Sequence, residues 1–241
     1  ALTSGFTFTD LVMNHYAISL SNFIAKYFMV FVTNALFGKV MEETLLVSAF
    51  SKMIGKLFGD KNAAYGALLV TAILSYGGIS AFVIVFTVYP IFLATFQKAD
   101  LPRKLIPAGI MAASCTFPLS MLPGGAQLNN IIPTQYLGTS PMAAPLVSMA
   151  ASVVSAALMF LYFRHEFALA RKRGEHFEAE GDILRRIEQF EKDPGLHPWT
   201  SVLPMMLIIL LINLFGMDLS YAVLAGTALA LALGWKNLPD K

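Results

Sequence analysis

The sequence predicts an all-α membrane protein: about five membrane-crossing helices, one of them discontinuous, with a re-entrant helical hairpin and an interfacial amphipathic helix. Three observations carry this class. Hydrophobic residues make up 56% of the 241 and charged ones only 13%, against roughly 45–50% and about 25% in an ordinary soluble domain. Four stretches, 16–38, 142–163, 199–215 and 219–235, are apolar over close to the ~20 residues that a helix needs to cross a hydrocarbon core of about 30 Å. Of the 32 charged side chains, fifteen are gathered in residues 164–193, so the rest of the chain is nearly free of charge.

The formal net charge of +2 does not describe the contiguous basic surface that nucleic acid requires, and no nucleic-acid partner is expected. With Cys115 as the single cysteine, an internal disulfide cannot form. The chain begins Ala1-Leu2-Thr3-Ser4 without an initiator Met, a basic n-region or a small-residue cleavage pattern, so no signal peptide is read there. We expect an internal part of a longer protein, about one repeat with its linker.

Residues 1–41 hold an extracytoplasmic start and the first span, interrupted by Lys26 and Asn34. A cation within a span is costly and by default a functional candidate, although snorkelling or a structural pair accounts for Lys26 equally well. Asn34 reads equally well as helix–helix glue. In residues 42–61, Leu45, Leu46, Ala49, Phe50, Met53, Ile54, Leu57 and Phe58 fall on one helical face, with Ser48, Lys52 and Lys56 opposite. Glu42 and Glu43 precede Thr44, read as the N-cap, where negative charge suits the helix dipole. This pattern predicts a helix lying on the membrane surface.

Residues 62–163 form a transport-type unit. From Ala63 the chain is apolar for twelve residues, then reads Ser75-Tyr76-Gly77-Gly78-Ile79-Ser80, then is apolar again from Ala81 to Phe96. Twelve helical residues reach only about 18 Å, past the midplane but not across. The two arms make either a hairpin that returns to its own side or one long kinked crossing. A third apolar stretch, 105–136, is interrupted by Leu122-Pro123-Gly124-Gly125-Ala126-Gln127-Leu128-Asn129-Asn130. Proline lacks a backbone donor and glycine is a poor helix former, so this helix is expected to be discontinuous. Residues 164–198 read as a solvated, charged cytoplasmic linker, and 199–241 as the first two spans of a second repeat.

Lys and Arg collect in cytoplasmic loops, which decides between the hairpin and the crossing. With a hairpin, 16 of the 17 basic residues fall on one side, Lys26 being the exception within a span. With a full crossing, Lys98, Arg103 and Lys104 would sit opposite Lys52, Lys56 and Lys61. The hairpin is the better reading.

Non-helical backbone at membrane depth is tolerated only where it is buried in protein or lines a wet cavity. In secondary transporters, broken helices and hairpins aim half-helix termini at the substrate. The candidate substrate-binding residues are therefore Ser75, Tyr76, Gly77, Gly78 and Ser80 at the hairpin tip, and Pro123, Gly124, Gly125, Gln127, Asn129 and Asn130 at the break. These are neutral hydrogen-bonders and backbone amides, suited to a small hydroxylated anion near helix N-termini. No span contains His, Asp or Glu, so neither a catalytic dyad nor a metal site is expected there, and the chain reads as a carrier and not an enzyme. Gly78-Ile79-Ser80-Ala81 resembles the setting of an intramembrane serine nucleophile only faintly, since no base lies within reach. A channel or a non-transporting assembly subunit is the alternative.

The runs Leu74-Ser75-Tyr76-Gly77-Gly78-Ile79-Ser80-Ala81-Phe82-Val83, Val88-Tyr89-Pro90-Ile91 and Leu101-Pro102-Arg103-Lys104-Leu105-Ile106-Pro107 resemble the gluconate permease (GntP) family of the ion-transporter superfamily. So do Leu122 to Thr134, Tyr136-Leu137-Gly138-Thr139 and Met142-Ala143-Ala144-Pro145. The resemblance implies multi-pass insertion in the bacterial inner membrane and uptake of gluconate or a related sugar acid or hydroxycarboxylate. It also implies H+ as the coupling ion, an elevator-like movement, homodimers and no cofactor. Where the family commonly carries a Thr-Pro pair this chain has Gly125-Ala126. The second hairpin and second broken helix of that architecture are absent from the sequence, so the chain is expected to supply half of a binding site and to need the remaining half of the transporter.

Overall fold

The computed structural model describes residues 5, 7–79, 81–179, 181–192 and 198–238, with side chains at all of these except 50–57, 60, 61, 82, 186, 189, 192 and 198. All regular structure among the described residues is helical, with no strand. Three helices are long and apolar enough to cross a membrane, Phe8–Glu43, Pro145–Lys172 and Leu219–Asn237, beside the shorter apolar helices Asn62–Tyr76, Val83–Ala99 and Trp199–Phe215.

The first long helix is built from α1 (Phe8–Asp10), a π turn (Leu11–Tyr16) and α2 (Ala17–Glu43). It starts earlier than the hydrophobic stretch indicates because Thr7 caps it, its hydroxyl accepting from the Asp10 N–H at 3.2 Å. Thr44 does not cap the next helix. Its hydroxyl donates back to the Val40 carbonyl at 2.6 Å and ends α2 instead, while Glu42 and Glu43 pair with Lys39 in the last turn. Such back-bonding to residue i−4 competes with the capping role in any short Thr-containing junction. Leu45, in a left-handed conformation, then turns the chain into α3 (Leu46–Tyr76).

Gly59, at φ 66° and ψ 168°, breaks α3 into two arms. The first covers the stretch expected to lie on the membrane surface. Its Leu46, Val47 and Ala49 are buried, and Phe50, Met53, Ile54 and Leu57, half of the apolar face read from sequence, lie outside the described side chains. The second arm and α4 (Ala81–Ala99) run antiparallel from the tip at Gly77-Gly78, forming the helical hairpin expected from sequence. Gly109 on α5 (Ile106–Cys115) lets the broken helix approach closely, since a Cβ there would stand 2.8 Å from the Phe92 ring. Phe96, Phe163 and Phe167 are fully buried, and with Tyr65 they join α3 and α4 to α8 (Pro145–Lys172), the Phe96 and Phe167 rings meeting edge to face at 5.7 Å.

α10 (Pro198–Phe215) and α11 (Leu219–Gly234) pack on each other, and they close the body against α3 and α2 respectively. Gly226 lies beneath Ile208, the small-residue contact that brings membrane helices together. The charged segment is less solvated than its composition indicates. Its α9 (Gly181–Lys192) packs on α4 with Ile187 buried and Ile183 and Phe190 beside it, an apolar stripe at helical spacing.

Candidate functional site

The broken helix comprises α5, a single turn α6 (Phe117–Ser120), an unwound stretch 121–127 and α7 (Leu128–Leu137). Each break frees carbonyls that a continuous helix would satisfy, and in a low-dielectric interior each needs a donor. The Ser114 carbonyl would accept from residue 118, which is a proline without an N–H. The Ser75 hydroxyl takes that place, donating to it at 2.8 Å. Tyr76 donates through its hydroxyl to the Pro123 carbonyl at 3.0 Å, and Asn130 through Nδ2 to the Leu122 carbonyl at 2.9 Å. Gln127 reaches the other way, its Nε2 donating to the Ser75 carbonyl and, at 3.1 Å, to the Ile79 carbonyl. The hairpin tip and the unwound stretch are thus one junction, stitched by neutral side chains.

Two glycines are required by this closeness. Gly78 has φ 98°, and a Cβ on it would stand 3.1 Å from the Ala126 Cβ. Gly125 lies against the Tyr76 ring and the Asn130 amide, 2.8 Å from where its Cβ would be. The tip amides serve the hairpin itself: the Gly77 N–H donates to the Ile73 carbonyl and that of Gly78 to Ser75. The Gly124 N–H donates to the Pro141 carbonyl at 2.8 Å. These three amides, read from sequence as groups for a solute, are engaged within the fold. Asn129 differs. It is exposed in the first turn of α7, a helix that begins at Gln127 without a side-chain cap and has no buried residue. Ser80 lies outside the described residues.

Asn34 donates to the Val30 carbonyl on its own helix, and its Oδ1 lies 3.9 Å from where a Cβ on Gly78 would be. Lys26 is exposed, with Nζ 5.0 Å from the Tyr136 ring centroid and 5.6 Å from that of Tyr27, whose hydroxyl meets Gln135 at 3.1 Å. Lys26 therefore belongs to the contact between α2 and the end of α7 and not to the break. Among the described residues no cluster of three His, Cys, Asp or Glu side chains could hold a metal ion. One participant escaped the sequence reading. Asn213, on α10, donates to the Gly124 carbonyl at 2.9 Å. Its signal was available, as a lone amide within an 18-residue apolar helix.

At the other end of the hairpin, the Asp100 carboxylate accepts from the Phe177 N–H at 3.0 Å and meets His176 Nδ1 at 2.7 Å. The Phe177 amide, then His176, hold its pKa below the ordinary aspartate value of 3.8. Lys104 pairs with Glu175 at 2.5 Å, and Lys98 with Glu191 at 3.1 Å.

These features define an all-α membrane-type chain in which a helical hairpin meets a discontinuous helix. Over 158 residues, 66% of its length, the chain is 39% identical to a protein of Bacillus subtilis (strain 168) described as the uncharacterized transporter YxjC. The matched stretch spans 34% of that relative. No family model matches the chain, and no solved structure does.

Proposed function

We propose that this chain is the hairpin-and-broken-helix half of a secondary active transporter in the bacterial inner membrane, carrying gluconate or a related small sugar acid or hydroxycarboxylate. The observation that carries the reading is the meeting of the hairpin tip with the unwound stretch through Tyr76 and Gln127, beside an α7 N-terminus that no side chain caps. Helix N-termini favour anions, and Asn129 adds a neutral donor there. The resemblance to the gluconate permease family and the transporter named among the relatives point the same way. Residues 62–163 form the moving unit, residues 164–198 its cytoplasmic linker, and the remaining half of the carrier completes the site. H+ is the coupling ion, homodimers form in the bilayer, and solute crosses by an elevator-like movement. Residues 1–241 alone therefore carry no solute into liposomes.

The test is uptake by the full-length carrier of a panel of sugar acids, hydroxy acids and amino acids, with and without a protonophore. Saturable, protonophore-sensitive uptake of a sugar or hydroxy acid is expected, whereas linear, non-saturating flux contradicts a carrier. Asn129→Ala weakens uptake while insertion is retained. Ser75→Ala also weakens it, through the orphaned Ser114 carbonyl. Unchanged kinetics in both variants would remove the site assignment.

A further inference from the structure

The break is closed by side-chain donors, and one of them brings an acceptor that nothing uses. Asn213 Nδ2 donates to the Gly124 carbonyl at 2.9 Å and to the Ile209 carbonyl at 2.8 Å. Both partners are acceptors, so the amide orientation is set: a flip would place Oδ1 against two carbonyl oxygens. Its Oδ1 is therefore held facing away from them, buried and without a hydrogen-bond partner. An orphaned buried acceptor is destabilising, and native structures retain few of them without a reason.

The surroundings supply one. A Cβ at Gly124 would stand 3.0 Å from Asn213 Oδ1 and 2.7 Å from Met142 Sδ, so amide and thioether both border the place that a side chain at 124 would take. Met142 is 44% exposed, and its unbranched, adaptable side chain can leave without disturbing backbone. The same helix sets Met205 against Gly77, where a Cβ would stand 2.8 Å from its Cγ. α10 thus touches the hairpin tip and the unwound stretch together.

We infer that Asn213 is a further solute-binding residue, its Oδ1 accepting a hydrogen bond from a solute hydroxyl once the Met142 side chain has moved aside. The inference rests on the transporter reading and deepens it. A carboxylate only accepts, so it cannot pair with Oδ1. The solute's acid group is therefore directed to the α7 N-terminus, and a hydroxyl-bearing carbon to Asn213. A neutral amide accepts from that hydroxyl without repelling the anion, as an aspartate would.

The test is competition for uptake by the full-length carrier, using its best solute from the panel and a series of monodeoxy analogues of that solute. In the unmodified carrier, one deoxy analogue competes about 2- to 10-fold less well than the parent, the worth of one hydrogen bond. In Asn213→Ser, whose hydroxyl can still bond the Ile209 carbonyl, that preference falls to about 1 while preferences at the other hydroxyls persist. Loss spread equally over parent and analogues, with every preference retained, means a structural role only and overturns the inference. Should Asn213→Ser fail to insert, Gly124→Ala reads the same point, because its Cβ fills the space beside Oδ1. There too the single preference is expected to vanish, and its persistence refutes the assignment. If the panel yields a hydroxylated solute other than a sugar acid, the substrate reading fails and the Asn213 test proceeds with that solute. If only solutes without a hydroxyl are taken up, the inference fails while the carrier reading stands.

Discussion

Where the hairpin tip meets the unwound stretch, six carbonyls, of Ser75, Ile79, Ser114, Leu122, Pro123 and Gly124, accept from neutral side chains. Where residues 173–192 meet the end of α4 and the loop after it, the ties are Lys98–Glu191, Lys104–Glu175 and the Asp100–His176 contact. Both junctions hold a non-helical segment to the same hairpin, one at each end. They differ because of their medium. In a dry interior an unpaired charge is far costlier than a neutral amide, while an unmade hydrogen bond carries its full penalty. At the wet end charges are tolerated, and each exposed pair contributes little. The two junctions should therefore respond very differently to substitution.

Gln127→Leu tests the inner junction most severely. It strips the side-chain donor from the Ile79 carbonyl and from the Ser75 carbonyl, which keeps only the Gly78 N–H, and at ~1–3 kcal/mol for an orphaned buried acceptor plus ~1 kcal/mol for the second lost bond the variant loses about 2–4 kcal/mol. The measurement is thermal unfolding of the purified carrier in detergent, where a clear fall in Tm is expected together with loss of uptake. A Tm equal to that of the parent would show that the junction is not held as described.

Gly78→Ala comes next, because it forces a side chain into a left-handed conformation and against Ala126, at about 1–3 kcal/mol. The double variant Gly78→Ala/Ala126→Gly recovers the steric part and retains the backbone part. Full recovery, or none, would separate the two causes differently from this account. Tyr76→Phe removes one hydroxyl from the Pro123 carbonyl and should cost about 1 kcal/mol.

The outer junction should give the smallest effects. Lys104→Ala is expected to change stability by about 0.2–1 kcal/mol, and by less in high salt. Asp100 has a depressed pKa, so its contribution is complete above the ordinary value of 3.8 and is lost as pH falls through the lower folded value. Proteolysis of residues 173–192 should thus be insensitive to mild acid and accelerate only below that window. In Asp100→Asn this acid step disappears. A loosening of residues 173–192 between pH 5 and 7 that depends on Asp100 would contradict the assignment.

Much of this arrangement is visible in the residues alone. Gly77-Gly78 and Pro123-Gly124-Gly125 mark both breaks because their backbone chemistry forbids a continuous helix, and the basic residues gather as the hairpin topology requires. Sequence could not divide the polar residues at those breaks by role. Ser75, Tyr76, Gln127 and Asn130 each satisfy a carbonyl that the fold itself frees, and which carbonyl each reaches depends on how hairpin and break are juxtaposed. Asn213 stood out as a lone amide in an apolar helix, but its partner lies 89 positions away, so no local pattern tied it to the break. The Thr44 cap failed for a local reason: a hydroxyl that can turn back to Val40 ends one helix as readily as it begins another.

The most direct test of the central claim, that the inner junction is where solute sits, is protection of a thiol beside Gly124. Met142→Cys in a Cys115→Ala background is labelled with a membrane-impermeant maleimide while the transported solute is titrated. Labelling is expected to slow several-fold, with a solute dependence that matches uptake by the same variant. Labelling at an unchanged rate under saturating solute, with uptake intact, would contradict it.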